Sequence, residues 1–164
     1  REDYSQSRPY TTKIMMIELN LPKYNPRLSK TTTGVMIYDD LRRKAVRLTP
    51  EEWVRQHFIH YLIDHLDYPA ALMQNEVALQ LGQTTKRCDT LLYDRQLRPQ
   101  MILEYKAPHI PLTDKVLQQI LRYNLVLRVP YLVLSNGLEH FAYRIDYEGM
   151  SYEALPEIPP YARL

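Results

Sequence analysis

Glycine is scarce in this sequence. It occurs only at Gly34, Gly82, Gly137 and Gly149, with no two close together. A phosphate loop of the G-x-x-x-x-G-K-[ST] kind and a dinucleotide fingerprint both need clustered glycines, so both are excluded. The sequence therefore contains no ATP motor of those kinds. Cysteine is scarcer still. Cys88 stands alone, which rules out a disulfide within the chain and suits an intracellular, cytoplasmic protein. No apolar run reaches the roughly 20 residues of a membrane helix, and no membrane partner is expected. The opening "REDYSQSRPY" lacks the apolar core of a signal peptide. The chain starts at Arg1 rather than Met, which points to a trimmed chain or a fragment, with Met15 and Met16 as alternative starts.

Tyrosine, by contrast, is abundant, at 14 of 164 residues, and is common at polar surfaces and binding grooves. The charged fraction of 24% and hydrophobic fraction of 45% are those of an ordinary globular domain with one core. A net charge of +2 is compatible with a polyanionic partner without implying one.

Along the chain, residues 1–47 read as an N-terminal arm. It holds a short strand at "KIMMIEL" and a strand or hairpin from Gly34 to Leu48 carrying Arg42, Arg43, Lys44 and Arg47. The core spans residues 48–150. Its first helix opens at Thr49 as N-cap, with Pro50 in the first helical position and Glu52 completing a capping box. Val54, Phe58, Tyr61, Leu62 and Leu66 form its apolar stripe, and it stops near Asp67, before Pro69. Three strands follow, at 72–81, 86–94 and 100–108, with short connections that predict an antiparallel meander. A second helix spans 113–128 behind the cap Thr113, with a stripe of Val116, Ile120, Tyr123 and Leu127 widened by Leu117, Leu121 and Leu125. A buried strand at 130–135 leads through Asn136–Gly137 into a hairpin strand at 138–146. The strand after the second helix returns parallel to the meander by a crossover. The fold class is thus α/β, one mixed central sheet flanked by helices. Residues 151–164 are proline-rich and read as a tail.

The stretch "QMILEYKAPH" carries the chemistry. It begins as a buried strand and then places Glu104 and Lys106 two residues apart, on the same face as Ile102 and opposite to Leu103 and Tyr105. Asp89 lies in the preceding strand, where it can come opposite Glu104. Two adjacent carboxylates repel unless a cation neutralises them, and a hard ion such as Mg²⁺ (or Mn²⁺) suits all-oxygen ligation. Lys106 can then activate water or neutralise a phosphate. That set fits phosphodiester hydrolysis. A polyanion would be held by Lys86, Arg87, Arg95, Arg98, Lys115 and Arg122. The bland alternative is a solvated Glu–Lys pair of little consequence.

With "PEEWVR" at 50–55, "KRCD" at 86–89, "ILEYKAP" at 102–108 and "QILRY" at 119–123, the sequence resembles the PD-(D/E)XK nuclease superfamily. It is most similar to the N-terminal nuclease domain of type I restriction enzyme R subunits. The resemblance covers roughly residues 48–146 and implies a restriction-endonuclease-like αβββαβ core. It implies Asp89 and Glu104 as metal ligands, Lys106 as catalytic lysine, and Gln119 and Tyr123 as a Q-x-x-x-Y pair orienting DNA or the active site. It also implies an auxiliary acid from the first helix. Glu51 is preferred as a further metal ligand, because Glu52 is committed to the cap; its plain alternative is a favourable helix-dipole charge. Cys88 stands where the family has proline. The implied activity is Mg²⁺-dependent DNA endonuclease without the helicase motor that follows this domain in such subunits. The implied partners are DNA and other restriction-system subunits, with a homodimer as a further possibility. The competing reading is a catalytically silent DNA-binding or assembly module of the same fold. His57 and His60 lack the carboxylate or cysteine of a zinc set, and Cys88 reads as a packed residue.

Overall fold

A computed structural model describes residues 16–164 of the chain. Of the strand expected at "KIMMIEL", Lys13 to Met15 lie outside the described residues and Met16 to Leu19 form no strand. The arm instead contains three strands, β1 (Leu28–Thr31), β2 (Gly34–Asp39) and β3 (Lys44–Arg47). They form an antiparallel sheet of their own. Its buried Ile37 packs with Leu48 and Trp53.

Helix α1 (Pro50–Leu66) starts at the predicted cap. Thr49 Oγ1 accepts from the Glu52 N–H at 3.0 Å. The return half of the capping box is not made, because the Glu52 carboxylate accepts from Arg42, Arg55 and Gln56 instead. Asp67, left-handed at φ 59°, closes the helix. Val54, Phe58 and Leu62 are fully buried as expected, and every residue from Glu52 to Ile59 is buried as well. The N-terminal half of α1 is therefore enclosed beyond its stripe: Trp53 packs with the small sheet.

The main sheet has six strands in sequence order: β4 (Met73–Leu81), β5 (Thr84–Tyr93), β6 (Pro99–Tyr105), β7 (Tyr131–Ser135), β8 (His140–Asp146) and β9 (Ser151–Leu155). Only β6 and β7 pair in parallel, and α2 (Asp114–Leu127) makes the crossover between them. This is the predicted αβββαβ order with two further strands appended. Period-2 alternation divides the core between the two helices. Met101, Leu103 and Tyr105 pack with Val54, Phe58 and Leu62 of α1. Ile102 packs with Leu132, Leu134 and, from α2, Leu117, Ile120 and Leu121.

The buried stripe of α2 is turned from the predicted one. Asn124 is buried, whereas Tyr123 and Leu125 are 42% and 48% exposed. The Asn124 amide donates through Nδ2 to the Val129 carbonyl at the end of the helix, while its Oδ1 is buried without a partner among the described residues. The Asn136–Gly137 hairpin joins β7 to β8 as expected, but through a longer loop. Asn136 Oδ1 accepts from both Leu138 and Glu139 N–H groups. Gly137 is required here. Its φ is +85°, and a Cβ would fall 2.7 Å from Leu19 Cδ2. The arm crosses at this point: Asn20 N–H donates to the Gly137 carbonyl, and Trp53 Nε1 donates to the Ile17 carbonyl, both at 2.8 Å.

The proline-rich end forms the edge strand β9 and then packs on the α1 side of the core. Ile158 is buried there, and Tyr68 Oη donates to the Pro159 carbonyl at 2.7 Å. Among the described residues, no helix is long and apolar enough to cross a membrane.

Candidate active site

The site lies where the sheet stops pairing regularly. β4 and β5 keep one register on both sides of a gap, Asn75 opposite Thr90 and Val77 opposite Cys88. In the gap Glu76 faces Asp89. Glu76 is left-handed, with φ 57°, which a residue with a side chain adopts only when its surroundings compel it. The register contains no Glu76–Asp89 pair. At this point Arg55 of α1 donates through Nη1 to the Asp89 carbonyl at 2.7 Å and through Nη2 to Glu76 Oε1 at 2.6 Å.

This interruption reverses the facing of both strands. Met73 and Leu92 belong to the α1 core, while Val77, Leu79 and Cys88 pack in the α2 core. Simple alternation would have put Cys88 with Leu92. Lys86 is carried along to the α2 side.

On the other flank, β5 pairs with β6 through Thr90 opposite Leu103. Continued by one residue, that register sets Asp89 opposite Glu104. The Lys106 N–H turns toward β7 and donates to the Ser135 carbonyl, so the N–H of Tyr105 turns toward β5. There it meets the Asp89 side chain, Oδ2 at 2.8 Å, rather than a backbone carbonyl. By the same parity, Asp89 and Glu104 sit at a position without backbone bonds, where opposed side chains stand closest.

Glu104 is only 8% exposed. Burial first, and then the Asp89 carboxylate beside it, push its carboxyl up to about 8, with Lys86 opposing in part. Lys86 Nζ stands 3.4 Å from Oε1 as an ion pair. Even so, Oε1 is buried without a hydrogen-bond partner among the described residues. The same Lys86 Nζ lies 4.5 Å from the centre of the Tyr123 ring. Two close carboxylates with an unsatisfied buried oxygen fit a hard divalent cation, which takes oxygen ligands from carboxylates, backbone carbonyls and water. A third acidic ligand is not assembled: among the described residues no group of three His, Cys, Asp or Glu converges.

The remaining expected site residues fall as follows. Lys106 is half-buried just past the end of β6. Glu51 is exposed in the first turn of α1, and nothing brings it into a three-ligand group with Asp89 and Glu104. Gln119 is exposed on α2. Lys86 is turned inward rather than offered to solvent. Arg87 is exposed but paired with Glu76. Arg95 is exposed in the β5–β6 turn, at the opposite end of β6 from Glu104. Arg98, also exposed, pairs with Asp94. Lys115 and Arg122 are exposed along α2. Cys88 is fully buried and burial pushes its thiol up to about 12, so it is a packed residue and no nucleophile. His57 Nδ1–H donates to the Trp53 carbonyl at 2.8 Å, and burial disfavours the charged form of the ring.

A buried polar network behind the site was not foreseen. Asp39 pairs with Arg42 and accepts from Asn75. Asn75 accepts from Thr90, which in turn accepts from Tyr105 Oη. Arg42 and Arg55 both pair with Glu52, and Arg55 and Arg87 with Glu76. The only sequence signal was the clustering of charge in "DDLRRK" and "PEEWVR". A cavity of about 380 Å³ lined by Leu41, Arg42, Gln74, Asn75, Glu76 and Val77 opens beside this network.

Residues 50–159 match the family model of the type I restriction enzyme R protein N terminus (HSDR_N). Among solved structures, one similar chain is a fragment described as the HsdR subunit of a type I restriction enzyme from Vibrio vulnificus YJ016. It shares 20% identity at a TM-score of 0.46, over 68% of this chain and 24% of that one. Another is the chain of a DrdV–DNA complex solved by cryo-EM, with 16% identity and a TM-score of 0.44, over 66% of this chain and 11% of that one. This chain thus spans only a minor part of either. No curated protein sequence matches it.

Proposed function

Because the chain belongs to the family of type I restriction enzyme R protein N termini, we propose that it is a Mg²⁺-dependent endonuclease domain that hydrolyses phosphodiesters in DNA. The observation that carries this reading is the opposition of Asp89 and Glu104 across β5 and β6, with Glu104 Oε1 buried and unsatisfied. Asp89 and Glu104 would hold the cation. A divalent ion there supplies Lewis-acid stabilisation of phosphate charge and a nucleophile at neutral pH. Lys106, two residues beyond Glu104, would bring its ammonium to the same centre. It neutralises phosphate charge or orients the attacking water. Tyr105 holds the Asp89 carboxylate through its backbone N–H, and Arg55 holds the Asp89 carbonyl. Exposed Lys115 and Arg122 on α2 would contact the DNA backbone. In the assembled enzyme, other restriction-system subunits or segments would supply the motor.

The test is cleavage of supercoiled plasmid by the full chain with Mg²⁺ or Mn²⁺. Cutting should vanish on chelation, in Asp89→Asn and in Lys106→Ala. Cutting that survives Lys106→Ala would sink the mechanism.

A second reading is a silent DNA-binding or assembly module. It draws on the lack of a third converging ligand among the described residues. It requires salt-sensitive DNA binding without cleavage, unchanged by Asp89→Asn.

A further inference from the structure

We propose that Lys86 is the resident counter-cation of Glu104, and that a divalent ion entering the site displaces it from Glu104 and leaves it held by the ring of Tyr123. The inference rests on the metal-site reading of Asp89 and Glu104 given above.

Lys86 faces the site because the sheet interruption at Glu76 and Asp89 reverses its strand, putting Cys88 and Lys86 on the α2 side. Its side chain is 22% exposed, unlike that of its neighbour Arg87 at 71%. The ammonium has two partners at once, Glu104 Oε1 at 3.4 Å and the Tyr123 ring at 4.5 Å. The first is an ion pair that leaves Oε1 without a hydrogen bond. Lys86 therefore faces the ionised form of this carboxyl, the form a metal needs, without satisfying Oε1. A divalent cation needs that same oxygen, and two cations cannot share it without strong repulsion. Metal entry thus requires Lys86 to retreat. A flexible lysine stem allows the move, and an aromatic face holds an ammonium at modest cost. Tyr123 is a platform for the displaced charge, close enough to the cation site for Lys86 to meet a phosphate there. Lys86 is in this sense a positioning residue.

The experiment is Mn²⁺ binding to the full chain without DNA, by electron paramagnetic resonance of the free ion and by calorimetry. Lys86→Met, and Lys86→Gln as a second variant, should bind Mn²⁺ about three- to tenfold more tightly, since the competing charge is gone. In the wild-type background Tyr123→Ala should weaken Mn²⁺ binding by about threefold, the size of one exposed cation–π contact, while Tyr123→Phe should not. In the Lys86→Met background Tyr123→Ala should have no effect, because no ammonium remains to be received. Unchanged or weaker Mn²⁺ binding in both Lys86 variants overturns the inference. So does an equal effect of Tyr123→Ala in the two backgrounds. Wild-type Mn²⁺ binding that Asp89→Asn and Glu104→Gln leave intact would instead remove the metal-site reading itself, and this inference with it.

Discussion

The backbone N–H of Tyr105 donates to the carboxylate of Asp89 at 2.8 Å. A side chain of β5 thus stands in for the backbone of β5 at the point where the sheet opens. The carboxylate has two tasks, closing the sheet and facing Glu104, and substitutions can separate them.

Asp89→Asn keeps an acceptor for the Tyr105 N–H and removes the charge. It should fold with stability within about 1 kcal/mol of the parent, since a satisfied N–H is retained. Asp89→Ala leaves that N–H without a partner and should cost roughly 1–3 kcal/mol, or about 2–4 °C per kcal/mol for a chain of this size. Thermal melts without metal check the difference. Both variants should lose Mn²⁺ binding.

Glu104 gives a pH dependence of defined sign. Its folded carboxyl titrates at about 8, above the ordinary 4.5. The folded state therefore holds a proton that the unfolded chain has already released. The stability linked to Glu104 is fully present below pH 4.5 and is lost as pH rises through about 8. Glu104→Gln, permanently neutral, should lose less stability across this window. At pH 8.5 without metal it should be more stable than wild type by about 1 kcal/mol or more. Urea unfolding at pH 6 and 8.5 measures it. Equal pH slopes for the two proteins would contradict the burial and repulsion assigned to this carboxyl.

Arg55 and Arg87 both pair with Glu76 and should behave differently. Arg55 is buried, 6% exposed, between Glu52, Glu76 and the Asp89 carbonyl. Arg55→Met leaves those groups uncompensated and should cost about 3–5 kcal/mol. Arg87 is exposed, and Arg87→Ala should change stability by no more than about 0.5–1 kcal/mol. Added salt should erase the Arg87 effect and leave most of the Arg55 effect. Denaturant midpoints at low and high salt make the comparison.

Tyr68→Phe removes the donor to the Pro159 carbonyl. The ring remains, so the packing around Met101 and Leu62 is kept. The variant should lose about 0.5–1.5 kcal/mol. Hydrogen exchange and limited proteolysis should report the loosening first in residues 156–164.

The elements whose signals are local were legible. Thr49 and Thr113 cap the helices as read, and the meander, crossover and hairpin follow in the expected order. Alternation placed Ile102 and Leu103 on opposite faces correctly. Features decided by distant contacts were not legible. The left-handed Glu76 is set by Arg55, which lies 21 residues earlier in the chain. Without it, alternation assigns Cys88 and Lys86 to the wrong face. Asn124 looks too polar for the core until the Val129 carbonyl is seen beside it. β9 carries almost no buried side chains, so its residues show no apolar alternation and pass for a tail. The spacing points Glu52 to the cap, whereas the stronger claim on it comes from two guanidinium groups.

Gly137 admits Leu19 so closely that no side chain can stand between them. The arm is thereby tied to the β7–β8 turn and, through Ile17, to Trp53 of α1. In both ties the arm's residue lies before residue 50, ahead of the span that matches the family. A shortened gene encoding that span alone would bare Trp53 and the socket above Gly137. Its product should be prone to aggregation, and anyone expressing this domain should keep at least the stretch from Met16 onward.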